Sequence, residues 1–273
     1  MGRRSISVLV LLGLLCAIFV AASPAEGNQG TCGASSYAYA GIQSDRKAHG
    51  VSATLVPVEN PSVLAGHVAG WVGVGGTGAG PGGVAEWIQT GFVAIDADKT
   101  SRMYYEVTVA GSQPRYVELD SSIGAGEKHH FAVLEMSKQK SWWRVWIDNK
   151  PVSPPIYLPG SHGTWYPQAV AENWNGNKGA CNAYDYRFTD VRLARHAGGT
   201  WRPLRSNYVF EDAGYRIVQT SKAPRSFVAA SLIKPAVVRQ SAAAAAPVDS
   251  TPVEAAAQPE AAPPVDAASG VSP

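Results

Sequence analysis

Along most of this chain, apolar and polar residues trade places at every second position, and clusters of Gly, Pro, Asn, Asp and Ser cut the pattern into short runs. A period of two belongs to a strand with one buried face. The runs stand at 35–43, 50–57, 67–74, 86–95, 102–110, 115–119, 129–136, 141–148, 168–173 and 184–193, and 207–232 adds two or three strand-like pieces expected at sheet edges. No stretch reads as a convincing amphipathic helix. Many short strands joined by turns predict an all-β fold, a two-sheet antiparallel β-sandwich or jelly roll, in one domain over 26–233.

The two ends break the pattern. Arg3 and Arg4 precede an uncharged apolar stretch over 6–22, and the small residues Ala21, Ala22, Ser23 and Ala25 follow. That layout predicts a secretory signal peptide over 1–25, so the protein is expected to be secreted and to meet a membrane only during export. Cys16 lacks the small residue that a lipoprotein signal carries just before its cysteine. Removal of the signal leaves Cys32 and Cys181, and two cysteines in an oxidising destination predict a disulfide between them. Closing so long a loop stabilises by roughly 4 to 5 kcal/mol in the chain-entropy account. Residues 234–273 are rich in Ala and Pro and hold no aromatic residue, which predicts a disordered tail.

Charge excludes some partners. Lys and Arg number 23 against 21 Asp and Glu, a net charge of +2, so no nucleic acid or other polyanion is implied. The run Arg187, Arg192, Arg195, Arg202 and Arg205 is interleaved with apolar residues at strand spacing, as on a solvated sheet face. Motifs for the commoner chemistries are missing. The glycine-rich stretch 73–83 lacks the Lys-Ser/Thr ending of a phosphate loop and reads as a surface loop; there is no Gly-x-Ser-x-Gly elbow and no His-Glu-x-x-His. The histidines, including the neighbours His129 and His130, show no ligand spacing. No metal and no cofactor are expected. A Glu-x-Asp-x-Glu strand, as in a jelly-roll glucanase with paired acids, is also absent.

A series of segments, in order, resembles the glutamic peptidases, or eqolisins. Ser36-Tyr37-Ala38-Tyr39-Ala40-Gly41 and Gly50-Val51-Ser52-Ala53-Thr54-Leu55-Val56-Pro57 look like that family's opening strand pair. Trp71-Val72-Gly73-Val74-Gly75-Gly76 is similar to its Trp-Val-Gly-Ile-Asp-Gly. Trp87-Ile88-Gln89-Thr90-Gly91 is similar to the strand that carries the catalytic glutamine, and Tyr104-Tyr105-Glu106 to its Tyr-Glu-Trp. Ile123-Gly124-Ala125-Gly126-Glu127 looks like its Ile-Ser-Ala-Gly-Asp turn, and Ala171-Glu172 resembles the segment with the catalytic glutamate. The resemblance covers 35–193. It implies a concanavalin-A-like sandwich, catalytic Gln89 and Glu172, and a substrate-binding groove with Trp71, Trp87, Tyr105, Glu106 and Trp174. The chain departs from the family at Gly75 and Val93, where acidic residues are usual, and at Val107 and Asn173, where Trp is usual.

The chemistry of such a pair can be stated on its own terms. A carboxylate can deprotonate water and later protonate a leaving amine, a role for Glu172. A side-chain amide can donate to the oxyanion of a tetrahedral intermediate, a role for Gln89. Period-two alternation separates Gln89 from Ile88 and Phe92, which suit a core face. Glu106 is the reserve carboxylate, with a salt bridge to an arginine as its ordinary fate. The expected activity is that of a secreted, monomeric acid endopeptidase acting on polypeptides.

The aromatic residues carry the alternative. Trp142, Trp143, Trp146, Trp165, Tyr166 and Trp174 can build a platform for sugar rings or peptides, giving a non-catalytic, lectin-like sandwich that binds a glycan. Trp142 and Trp146 fall on one strand face, and Trp143 falls opposite with Val145 and Ile147.

Overall fold

A computed structural model describes residues 37–96, 98–178, 181–220 and 225–232. Apart from one 3-10 turn at Pro81–Gly83, the regular elements among the described residues are strands. Branched and aromatic side chains at alternate positions favour the pleated backbone, and the intervening Gly, Pro, Asn and Ser supply its turns.

The strands form two antiparallel sheets packed as a sandwich. The first sheet contains β1 (Tyr37–Ser44), β3 (His67–Gly76), β4 (Glu86–Ile95), β5 (Ser101–Thr108), β6 (Arg115–Ile123), β11 (Gln168–Trp174) and β14 (Asn207–Glu211). Their order is β14-β1-β11-β3-β4-β5-β6. The second contains β2 (Gly50–Pro57), β7 (His129–Glu135), β8 (Trp142–Ile147), β9 (Lys150–Pro151), β10 (Ile156–Tyr157), β12 (Asp185–His196), β13 (Gly199–Pro203), β15 (Tyr215–Gln219) and β16 (Phe227–Ser231). Here the path is β10-β8-β7-β2-β12-β16-β15, with β9 beside β8 and β13 beside β12.

The core lies between the sheets. Ile88 and Phe92 of β4, Phe131 of β7, Trp143 of β8 and Phe188 of β12 are fully buried there. Phe92 meets Phe131 edge to face at 4.9 Å, and Phe188 stacks on Phe227 at 4.6 Å. Each such side chain contributes about 1.5 to 3 kcal/mol through burial.

Three short strands go beyond the sequence pattern. β9 and β10 have two residues each, too few for alternation to show. β12 continues past Leu193 to His196 and turns through Ala197 and Gly198 into β13. Of the pieces in 207–232, β14 and β15 are edges, whereas β16 lies inside the path between β12 and β15. The expected signal peptide, Cys32 and the 234–273 tail lie outside the described residues, so the Cys32–Cys181 pairing stays an expectation. Among the described residues, no helix is long and apolar enough to cross a membrane.

Candidate active site

The first sheet has a second buried face, turned away from the core. On β4, Ile88 and Phe92 enter the core, so Trp87, Gln89, Gly91 and Val93 point the other way. Residues directly opposite in antiparallel strands share a face, which carries the pattern across the sheet. Gln89 faces Gly73 on β3 and Glu106 on β5. Trp71 faces Gly91 on β4 and Val170 on β11, and Ala69 faces Glu172 on β11 and Val93 on β4. Tyr39, Ala69, Trp71, Val93, Tyr104 and Val170 form an apolar cluster on this face, with the partly buried Tyr37, Tyr116 and Phe210 against it.

Gln89 and Glu172 therefore share one face. They stand two strands apart and four residues apart along the strands, about 10 Å by 13 Å at ordinary strand spacings. Trp71 occupies β3 between them, and Tyr104 flanks Gln89 from β5. All of these groups are shielded from water: Glu172 and Glu106 are each 1 % exposed and Gln89 3 %.

The hydrogen bonds tie the face together. Trp71 Nε1 donates to Glu172 Oε2 at 2.9 Å, and His67 Nε2 lies 3.0 Å from Oε1. Gln89 Nε2 donates to the Tyr104 hydroxyl at 3.3 Å. Trp87 Nε1 donates to Glu106 Oε1 at 3.2 Å, and Glu106 Oε2 is buried without a hydrogen-bond partner. Burial first, and the Glu172 charge second, push the Glu106 carboxyl up to about 8. It is neutral at pH 7 and below. Burial and the charge of Glu172 likewise hold the Tyr104 hydroxyl neutral, well above the usual phenol range. One face thus carries a carboxyl group with a hydrogen-bond partner on each oxygen, a protonated carboxyl and a side-chain amide. That combination suits proton transfer and oxyanion stabilisation.

Trp71, Trp87 and Glu106 come to this face, and Trp174 lies half-buried at its end, 5.5 Å ring to ring from His67. Tyr105 does not. It sits between Tyr104 and Glu106 on β5, so alternation sends it into the intersheet core. The arginine expected beside Glu106 is not there either; its described partner is the Trp87 indole. The proposed aromatic platform also divides. Trp143 and Trp165 stack on each other in the core at 5.9 Å, Trp142 packs on Tyr157 at 5.4 Å on the second sheet, and Trp174 belongs to the first.

Two residues of this face, His67 and Tyr104, escaped the sequence reading. Counting back by twos from Trp71 reaches His67, so alternation along β3 held the clue. A third grouping had no such clue. His49, Glu135 and His162 lie far apart in sequence, yet their ligand atoms fall within 4.8 Å of one another.

The departures from the family pattern have physical readings. Gly75 takes φ 89°, and a Cβ there would lie 2.2 Å from the Glu86 carbonyl oxygen. An aspartate does not fit that backbone. Val107 and Asn173 fall on the far side of their strands from Glu106 and Glu172. Val107 packs in the core, and Asn173 Oδ1 accepts a hydrogen bond from Asn182 Nδ2 at 2.8 Å. Val93 replaces an acid on the site face, as Gly75 does opposite Trp87, and joins the apolar cluster.

The backbone arrangement is similar to that of Scytalido-glutamic peptidase bound to a peptide based transition state analog. The TM-score is 0.50 at 17 % identity, covering 72 % of this chain and 98 % of that one. The chain adopts a glutamic-peptidase-like fold. A second complex of that peptidase, with a transition state analog inhibitor, gives a TM-score of 0.50 at 16 % identity over 72 % of this chain and 99 % of that one. SCP-B, a member of the eqolisin family in complex with the tripeptide Ala-Ile-His, aligns over 72 % of this chain and 98 % of its own at 18 % identity, with a TM-score of 0.43. No family model and no curated protein matches the sequence.

Proposed function

We propose that this protein is an exported acid endopeptidase of the glutamic type. The observation that carries the reading is the shared buried face on which Glu172, Gln89 and a neutral Glu106 stand together; the sandwich fold alone hosts many chemistries. Glu172 takes a proton from water as the water oxygen bonds to the scissile carbonyl carbon. Gln89 Nε2 turns from Tyr104 to donate to the oxyanion. As the C–N bond breaks, the proton held by Glu172 passes to the leaving amine. Glu106, protonated and opposite Gln89, keeps a second negative charge away from the oxyanion. Trp71 and His67 hold the Glu172 carboxylate in place. Substrate reaches these groups by displacing the partly buried aromatics, Tyr37, Tyr116 and Phe210, that pack against the cluster.

In this reading residues 1–25 direct export, 26–233 form the catalytic domain, a Cys32–Cys181 disulfide ties the start of that domain to the loop after β11, and the substrate is a polypeptide. The glycan-binding alternative is left with a smaller aromatic surface, Trp142 against Tyr157 on the second sheet, since Trp143 and Trp165 are taken up in the core. The test is hydrolysis of a denatured protein by the purified mature chain between about pH 2 and 6. Cleavage is expected to persist with chelators and with serine and cysteine reagents. A correctly folded protein that cleaves nothing across that range overturns the assignment.

A further inference from the structure

We propose that His49, Glu135 and His162 form a binding site for one divalent transition-metal ion of the zinc type, separate from the Glu172 face. Glu135 ends β7, and its carboxylate is buried. His49 Nδ1 lies 2.6 Å from Glu135 Oε2, and His162 Nδ1 lies 2.7 Å from Oε1. The two imidazole rings are 5.1 Å apart. Two histidine nitrogens and one glutamate oxygen are a donor set that zinc accepts, with a water completing four-coordination. The approach is open, since the His49 and His162 side chains keep 19 % and 40 % of their surface exposed.

The ligands are held before any ion arrives. The Glu135 amide donates to the His49 carbonyl at 2.9 Å, and the Gly198 amide donates to the Glu135 carbonyl at 2.7 Å. The Ser141 amide donates to Glu135 Oε1 at 2.6 Å, an outer contact of the kind that orients metal-binding carboxylates. His162 rides a turn fixed by Ser161, whose hydroxyl accepts from Trp143 Nε1 and donates to the Leu158 carbonyl, both at 2.7 Å. Gly163 gives the His49 ring its space: a Cβ there would lie 2.8 Å from His49 Cε1 and 3.0 Å from Nε2. Zinc at about 2.0 to 2.1 Å from each donor needs them roughly 3.3 Å apart, so the nitrogen that faces the ligating oxygen moves out by about 0.6 Å. On binding, each imidazole offers its Nδ1 lone pair and carries its single proton at Nε2. A charged imidazole releases its Nδ1 proton to solvent, and a neutral Nδ1–H imidazole exchanges it for one at Nε2.

The ion would clamp the start of β2 and the end of β7 to the 158–164 turn, which leads through Trp165 into β11 and Glu172. The test uses untagged mature protein, because an added histidine tag would bind the same ions. Cobalt(II) should give the visible absorption of a four-coordinate ion, and zinc should displace it. At free zinc about 100 times Kd, the melting temperature should rise by roughly 5 to 10 °C, and a chelator should reverse the rise. His162→Ala, at a partly exposed position, should fold normally without metal and bind at least about 100-fold more weakly. His49→Ala should behave alike, whereas His129→Ala should bind as the parent does. A parent protein that shows neither cobalt absorption nor a melting shift overturns the proposal. So does a His162→Ala variant that binds zinc as tightly as the parent. Acid proteolysis below the melting temperature reports on Glu172 separately and is expected to survive metal removal.

Discussion

The two faces of β4 are equally dry and do opposite work. Ile88 and Phe92 are 0 % exposed toward the core, and Gln89 and Trp87 are 3 % and 4 % exposed on the other side. On the core side the neighbours are hydrocarbon, and exclusion of water is itself the gain. On the other side the neighbours are Glu106, Tyr104 and Trp71, and the same exclusion raises the proton affinity of Glu106 to about 8. Low exposure therefore does not by itself identify a structural core. The polar atoms brought along decide whether a dry face stabilises the fold or prepares it for proton transfer.

The sharpest way to separate the faces is to change the carboxylate without changing its shape. Glu172→Gln should lower acid proteolysis by about 100- to 10,000-fold, because the amide cannot take the proton from water. Circular dichroism should show the parent fold. Undiminished cleavage would break the division at its centre. Phe92→Ala probes the opposite face and should destabilise by about 3 to 5 kcal/mol in urea unfolding. Its rate per folded molecule should stay near the parent value, and loss of catalysis in fully folded protein would show that the faces are not independent. Gln89→Ala should reduce kcat by about 100- to 1000-fold with a smaller effect on KM, since the amide is assigned to the oxyanion rather than to substrate docking.

The smallest effect is a tilt of stability with pH. The Glu106 and Glu86 carboxyls are raised from the ordinary 4.5 to about 8 and about 7, both chiefly by burial. Between about pH 4.5 and 8 the folded chain holds protons that the unfolded chain has released, so these groups favour folding in acid and that advantage declines as pH rises through the interval. Glu106→Gln removes its share. Urea midpoints measured from about pH 5 to about pH 8 should fall less steeply for this variant than for the parent. Parallel slopes would mean that Glu106 is an ordinary, ionised carboxylate.

How much of this was legible depends on whether the information is local. Alternation places Gln89 opposite Ile88 and Phe92 without any knowledge of other strands, and the limits of β2 and β4 follow from where the pattern stops. The same rule, applied strictly, would have removed Tyr105 from the groove, because its neighbours Tyr104 and Glu106 occupy the other face. Register between strands is not local. That Glu106 faces Gln89, or that His67 reaches Glu172, depends on how β3, β4, β5 and β11 align. The His49, Glu135 and His162 grouping joins a strand start, a strand end and a turn, and no spacing rule connects these.

The left-handed backbone at Gly75 bears on the routes by which this sequence can change. Restoring the acid usual in the resembling family takes a single replacement, Gly75→Asp, yet the new Cβ would collide with the Glu86 carbonyl at 2.2 Å. The end of β3, where it pairs with the start of β4, would have to be rebuilt first, and only then would the acid be tolerated. The order of events matters, and the step that looks shortest on paper is closed. Any lineage or laboratory selection that begins from this chain is steered toward solutions that leave position 75 small.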